Sequence, residues 1–76
     1  MTWARKFASP IALKDGRSLA SLSEGRALML SLPEIHRREA VWRRAAELLS
    51  EAAADRDSLP DADAQLRRAL KAEALI

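Results

Sequence analysis

The chain of 76 residues has no cysteine, no tyrosine, two glycines and one histidine. Disulfide bonds and thiolate metal ligands are therefore excluded, and the core must form with only three aromatic side chains. No apolar run approaches the roughly 20 residues that a membrane-spanning helix needs. Because no hydrophobic segment follows the basic start of the chain either, we expect a cytoplasmic protein.

Alanine and leucine dominate the residues that are present. The sequence has sixteen alanines and twelve leucines, and its hydrophobic fraction is 49%. This composition is typical of a folded, helical protein. A chain of this length forms one domain, residues 1–76, which buries only about 60% of the surface of the unfolded chain. Its stability must come from helix packing, from a partner subunit or from both.

The charged residues are distributed unevenly along the chain. Residues 1–44 contain nine basic and four acidic side chains, a balance of +5. Residues 45–76 contain four basic and seven acidic side chains, a balance of −3. Such polarity favours antiparallel contact between two copies of the chain, or contact of the basic half with an anion.

The Asp-Gly pair at 15–16 predicts a β-hairpin, because it lies between short apolar segments. A two-residue loop would place Leu13 and Leu19 on opposite faces of the hairpin. A three-residue loop at 14–16, with its glycine in the left-handed conformation, pairs Ile11 with Leu19 and brings all three apolar side chains to one face. We therefore predict the three-residue loop. A phosphate-binding loop is not indicated, since that motif ends in Lys followed by Ser or Thr at a helix start.

Three segments predict helix starts by one shared pattern. Positions 21–24, 31–34 and 58–61 read SLSE, SLPE and SLPD, in which the serine caps the helix and the acidic residue returns to the serine N–H. Proline is tolerated in a first helical turn because that position needs no N–H donor. The sequence therefore predicts a mostly α, small α+β fold, with a hairpin at 7–20 followed by helices at 22–30, 32–55 and 59–75.

A glycine inside the first helix predicts close packing between that helix and the hairpin. Gly25 lies inside that helix, where it costs about 1 kcal/mol relative to alanine. We expect it to let the hairpin lie close.

Trp3 and Phe7 alternate with Arg5 and Lys6, as aromatic and basic residues do in proteins that bind single-stranded nucleic acids. We interpret the two aromatic side chains instead as anchors of an arm that crosses the core.

The long second helix carries a broad apolar stripe. Its members are Ile35, Trp42, Ala45, Ala46, Leu49, Ala52 and Ala53. Arg38 projects into this stripe, where it either extends its charge past the helix end or binds a partner's carboxylate or phosphate. In a monomer we expect Val41, Leu48 and the 75–76 end to stay partly exposed. We therefore predict a homodimer whose interface contains Trp42, Arg38, Leu49, Leu66 and Leu70.

The sequence offers little material for catalysis or metal binding. His36 has Glu34 and Glu39 nearby, but there is no second histidine and no cysteine to complete a tetrahedral zinc site. No set of nucleophile, base and oxyanion donor stands out. We interpret His36 as a surface residue and expect a non-enzymatic protein without a cofactor or metal.

The N-terminal third has a recognisable pattern of apolar, aromatic and turn residues. The pattern consists of Trp3, Phe7, Pro10, Ile11, Leu13, Gly16, Arg17, Leu19 and Leu22. It resembles the start of small uncharacterised bacterial proteins that begin with a hairpin and a helix. The resemblance implies a recurring module and no activity, so it assigns no functional residue.

Two functions are compatible with these observations. The leading prediction is a small helical module that acts through contacts with itself or another protein. The alternative is a nucleic-acid-binding or transcription-regulatory protein, in which the first two helices imitate a helix-turn-helix with residues 35–38 at the recognition end. Its contacts would be Arg37, Arg38 and Arg44. The junction lacks the usual glycine and these arginines point in different directions, which favours the protein-contact function.

Overall fold

A computed structural model describes residues 2–76 and shows a small α+β fold that is 61% helical, as predicted. An N-terminal antiparallel hairpin precedes the helices. The elements are β1 (Lys6–Ala12), β2 (Ser18–Ser21), α1 (Leu22–Ser31), α2 (Glu34–Arg37), α3 (Ala40–Ala54), a 3-10 turn (Arg56–Ser58) and α4 (Leu59–Ala72). Within residues 2–76, no helix combines the length and the apolar character needed to cross a bilayer.

The hairpin has the predicted three-residue loop. Ile11 pairs with Leu19, the Leu13 N–H donates to the Arg17 carbonyl at 2.8 Å, and Gly16 has a φ of 94°. The Gly16 N–H donates to the Leu13 carbonyl at 3.2 Å, which closes the turn. Ile11, Leu13 and Leu19 are all buried, so the register directs the apolar side chains to the core.

Asp15 holds the turn together from its solvent side. The Arg17 N–H donates to Asp15 Oδ1 at 3.0 Å and lowers the pKa of this carboxyl below its ordinary value. The Arg17 guanidinium, 2.6 Å from Oδ2, acts in the same direction. Because the pKa is lowered on folding, this contribution to stability is present above the ordinary value and is lost as the pH falls through the lowered one.

Helix α1 begins at the predicted cap and lies directly against the hairpin. The Glu24 N–H donates to Ser21 Oγ at 3.4 Å, while Glu24 Oε2 accepts from the Ala20 N–H at 2.8 Å rather than from the Ser21 N–H. Gly25 is buried, and a Cβ atom there would lie 3.1 Å from Leu66 Cδ2 and 3.7 Å from Phe7 Cζ. The glycine therefore leaves room for the Leu66 side chain of α4, whereas the distance to Phe7 of the hairpin is an ordinary van der Waals contact.

The prediction of one continuous helix at 32–55 is wrong. The chain forms the short α2, leaves the helical conformation at Glu39 (φ −66°, ψ 143°) and starts again as α3. In an unbroken helix Arg38 would point into the apolar stripe and bury its charge. The break instead leaves Arg38 in solvent, and Ile35, which we predicted in the stripe, is 72% exposed.

Two of the three predicted serine caps are not formed. Ser31 is the last residue of α1, and its hydroxyl donates to the Leu28 carbonyl at 2.6 Å instead of capping the next helix. Pro33 takes the cap position of α2 and has no side-chain donor or acceptor for it. Ser58 does precede α4 but makes no side-chain cap bond, because the 3-10 turn before it already has a helical backbone there.

Helices α3 and α4 supply most of the core beneath the hairpin and α1. The buried side chains of the two helices are Trp42, Ala45, Leu48, Leu49, Ala52, Ala53, Ala62, Leu66, Ala69 and Leu70. Leu48, which we expected to be partly exposed, is only 7% exposed within a single chain. Val41, Leu75 and Ile76 are partly buried, and the alanines permit close approach of the helices.

Several long-range hydrogen bonds connect the hairpin side to the helices. The Thr2 N–H donates to the Ala53 carbonyl at 2.7 Å, and the half-buried Trp3 packs against the core, so the N-terminal segment forms the predicted arm. Arg67 is paired with Asp63 at 2.6 Å and donates to the Ser9 carbonyl at 3.2 Å. Strand β1 is thereby bound to α4.

Helix α4 ends at Ala72, three residues before the predicted end, in a Schellman motif. The Leu75 N–H donates to the Leu70 carbonyl at 2.8 Å, and the Ala74 N–H donates to the Lys71 carbonyl at 3.0 Å. Ala74 occupies the left-handed position of this motif with a φ of 58°. The turn directs the Leu75 carbonyl to the hairpin, where it accepts from the Lys14 N–H at 2.8 Å.

Replacing Ala74 with glycine should stabilise the protein. An L-residue other than glycine is disfavoured in the left-handed region, so Ala74→Gly should raise the free energy of unfolding by about 0.5–1 kcal/mol after the added entropy of the unfolded chain is subtracted. The control is Ala72→Gly, at an exposed position in the last helical turn, which should lower it by about 0.5–1 kcal/mol. Urea unfolding followed by circular dichroism measures both, and equal effects of the two changes would contradict the assignment.

Candidate functional site

Four of the five residues predicted at an interface lie in the core of one chain. Trp42, Leu66 and Leu70 have no exposed surface, and Leu49 is 1% exposed. Trp42, Leu66 and Leu70 cannot contact a second molecule unless the chain opens, so their apolar character serves the fold. Arg38 does lie at the surface, but its guanidinium is paired with Glu34 at 2.7 Å.

The arginines of the nucleic-acid alternative are exposed but mostly paired. Arg44 lies 3.0 Å from Glu47, and Arg38 is held by Glu34. For Arg37 no carboxylate within 4.0 Å is found among residues 2–76. Arg37 and Arg38 belong to the α2 end and Arg44 to α3, on either side of the helix break. The break separates them, so they do not form one ridge along a helix.

A second set of cations lies at the end of the molecule where β1 begins. Arg5, Lys6 and Arg56 line a shallow groove of about 300 Å³ together with Leu59. Arg5 is half-buried, and its guanidinium donates to the Ala52 carbonyl at 3.0 Å. This hydrogen bond connects the segment before β1 to α3, which gives Arg5 a structural role.

An apolar groove runs between α1 and α3, and we refer to it as the α1–α3 groove. It measures about 340 Å³, and its lining residues are Trp3, Arg26, Met29, Leu30, Ala46, Leu49 and Ser50. The Arg26 guanidinium lies 5.1 Å from the centroid of the Trp3 ring, a cation–π contact that holds the indole at the groove edge. Leu30 is 60% exposed at the rim.

The structure also brings together a histidine and two glutamates, one of which, Glu73, the sequence did not connect with the other two. His36 Nδ1 lies 3.2 Å from Glu39 Oε1 and 3.1 Å from Glu73 Oε2. One potential metal-ligand atom from each residue lies within 4.8 Å of the others. Glu73 has the most enclosed side chain of the three, with 18% of its surface exposed.

Different elements position these three side chains. His36 belongs to the short α2, and Glu39 occupies the cap position at the break before α3. Glu73 caps the C-terminus of α4 in the Schellman motif. Sequence spacing alone could suggest the His36 and Glu39 pair, at i and i+3, but it gave no sign that the end of α4 returns to α2.

No family model, no curated protein and no solved structure was found to match the chain. The resemblance of its N-terminal third to small bacterial proteins with a hairpin-helix start therefore stays a prediction.

Proposed function

We propose that this protein is a small, non-enzymatic, cytoplasmic interaction module that self-associates through the α1–α3 groove. One observation carries the proposal: Leu30 exposes 60% of its surface at the rim of an apolar groove. Large apolar side chains that border an apolar depression are typical of surfaces that become buried on association. Ile35, in α2, is a second large apolar side chain at the surface, with 72% of its area exposed.

The groove contains the side-chain types that contribute most to protein interfaces. Trp3 is half-buried at its edge and Arg26 lies over the indole, and tryptophan and arginine are both enriched among the residues that dominate binding energy. Burying an exposed leucine side chain contributes about 1.5–3 kcal/mol. In a two-fold dimer each such contact occurs twice, because the same patch belongs to both subunits.

The charge distribution supports a second copy of the chain as the partner. The basic half of the sequence contains α1 and the α1 side of the groove, including Arg26, whereas the acidic half contains most of α3 and all of α4. An antiparallel dimer places these halves opposite each other, which lowers the electrostatic energy of the encounter.

The contacts give less support to nucleic-acid binding. Arg38 and Arg44, two of the three arginines required for it, are paired with carboxylates of their own helices. Phosphate binding would have to replace these contacts. The protein-contact function therefore remains the leading proposal.

Sedimentation equilibrium at micromolar concentration tests the dimer. We expect the wild-type chain to sediment at twice its mass of 8.4 kDa. Leu30→Asp should restore the monomer mass, because each subunit would then bring a carboxylate into the apolar contact in place of a leucine. Since Leu30 is exposed in the single chain, the change should leave the fold and its circular dichroism intact.

Ala27→Asp is the matched control, because Ala27 is exposed on the same helix and does not line the α1–α3 groove. This variant should remain a dimer. A wild-type protein that sediments as a single 8.4 kDa species at every concentration would contradict self-association. Dissociation of both variants alike would contradict the assignment of the interface to this groove.

A further inference from the structure

We propose that His36, Glu39 and Glu73 form a binding site for one divalent transition-metal ion of the zinc type. The site is independent of the α1–α3 groove, since it lies where α2, the start of α3 and the end of α4 meet. It supplies one imidazole nitrogen and two carboxylate oxygens from three separate segments.

The spacing of the ligand atoms fits a metal ion of this size. Zinc binds nitrogen and oxygen ligands at about 2.0–2.2 Å, so two ligands at angles between 90° and 109° lie roughly 2.9–3.5 Å apart. The distances from His36 Nδ1 to the two carboxylate oxygens, 3.2 and 3.1 Å, fall within this range. The two carboxylate oxygens lie within 4.8 Å of each other, so an ion held next to the imidazole nitrogen would draw the glutamate side chains closer together.

The ligand types select the class of ion. An imidazole ligand suits zinc, copper, nickel and iron, whereas calcium and magnesium prefer oxygen ligands alone. Three protein ligands leave a position for water, as in open zinc sites. Because the nitrogen must be free of its proton to bind the metal, binding should weaken as the pH is lowered.

Because the site lies between α2 and the end of α4, a bound ion would connect these two parts of the fold. His36 and Glu39 lie on either side of the break between α2 and α3, and Glu73 lies at the turn that ends α4. An ion bound by all three would fix the short α2 to the end of α4. Since an ion that binds only the folded chain stabilises it, the unfolding temperature should rise with zinc concentration.

Isothermal titration of the full chain with zinc chloride, in a buffer that does not bind zinc, tests the site. We expect saturable binding of one ion per chain with a micromolar dissociation constant, and no comparable binding of magnesium. His36→Ala and Glu73→Gln should each weaken zinc binding at least about tenfold, and Glu39→Gln provides an independent ligand deletion. Thermal unfolding followed by circular dichroism should show that zinc raises the midpoint of the wild type and not of His36→Ala.

Glu34→Gln is the control, because Glu34 lies on the same short helix and its carboxylate is paired with Arg38 outside the cluster. This variant should bind zinc as the wild type does. Absence of saturable binding at millimolar zinc would overturn the proposal, and so would wild-type affinity in His36→Ala. Magnesium binding as tight as that of zinc would equally overturn the assignment to a nitrogen-containing site.

Discussion

Trp42→Ala should lower the free energy of unfolding by about 3–5 kcal/mol and leave the chain largely unfolded at 25 °C. Trp42 is the largest side chain without any exposed surface. Its removal leaves a cavity that the surrounding helices can close only in part. A single small core rarely supplies more than about 3–5 kcal/mol, so a loss of this size consumes most of the stability. Urea unfolding followed by circular dichroism should show the midpoint near zero denaturant.

Trp42→Phe separates the effect of the indole's volume on stability from the effect of its N–H group. No acceptor for Trp42 Nε1 is present among residues 2–76, although the atom is buried. A buried donor without a partner costs about 1–3 kcal/mol, and phenylalanine removes that donor while filling most of the space. The loss of stability should therefore be less than half of that caused by alanine. A wild-type unfolding midpoint for Trp42→Ala would show that the indole is not part of the core.

Gly25→Leu should destabilise the protein by about 3 kcal/mol or more, because buried side chains of neighbouring elements already fill the space at this position. The first added carbon would already lie 3.1 Å from Leu66 Cδ2, and Leu49 Cδ2 and Phe7 Cζ lie within 3.8 Å. All three neighbours are buried and have little room to move. Chemical denaturation followed by circular dichroism measures the loss.

Gly25→Ala and Ala27→Leu are the matched variants for this prediction. Alanine gains about 1 kcal/mol of helix propensity at position 25, which offsets much of the strain from its one close contact. Ala27 is exposed on the same helix, so a leucine there should change the stability by less than about 0.5 kcal/mol. If Gly25→Leu were as stable as Ala27→Leu, the tight packing of Leu66 against Gly25 would be wrong.

The sequence predicted those parts of the fold that depend on local chemistry. The Asp-Gly pair and the alternation of Ile11, Leu13 and Leu19 were sufficient for the hairpin register, since only one loop length brings the three side chains together. The Ser21 cap was likewise predictable. Each depends on residues within a few positions of one another.

The break between α2 and α3 was missed because its cause is not local. Glu39 is not a typical capping residue, and the 3.6-residue period continues through it. The one available signal was Arg38, a charge in the middle of an apolar stripe. We interpreted it as a side chain that extends past the helix end or binds a partner, rather than as the end of a helix. The same break exposed Ile35 and brought His36 toward Glu73, a contact between distant parts of the chain that no pattern in either segment indicates.

The hydrogen bonds that join the N-terminal segment to the helices have a consequence for the rate of folding. Arg67 reaches Ser9 across 58 positions of the sequence, and Arg5 reaches Ala52 across 47. Ordering such long loops costs entropy before the contacts that stabilise them exist, and proteins rich in distant contacts fold more slowly than helical bundles of equal size. The hairpin should therefore not form stably during synthesis until α4 has emerged to pack against it. The N-terminal third is then the part of this protein most exposed to proteases and to misassembly while the chain is being made.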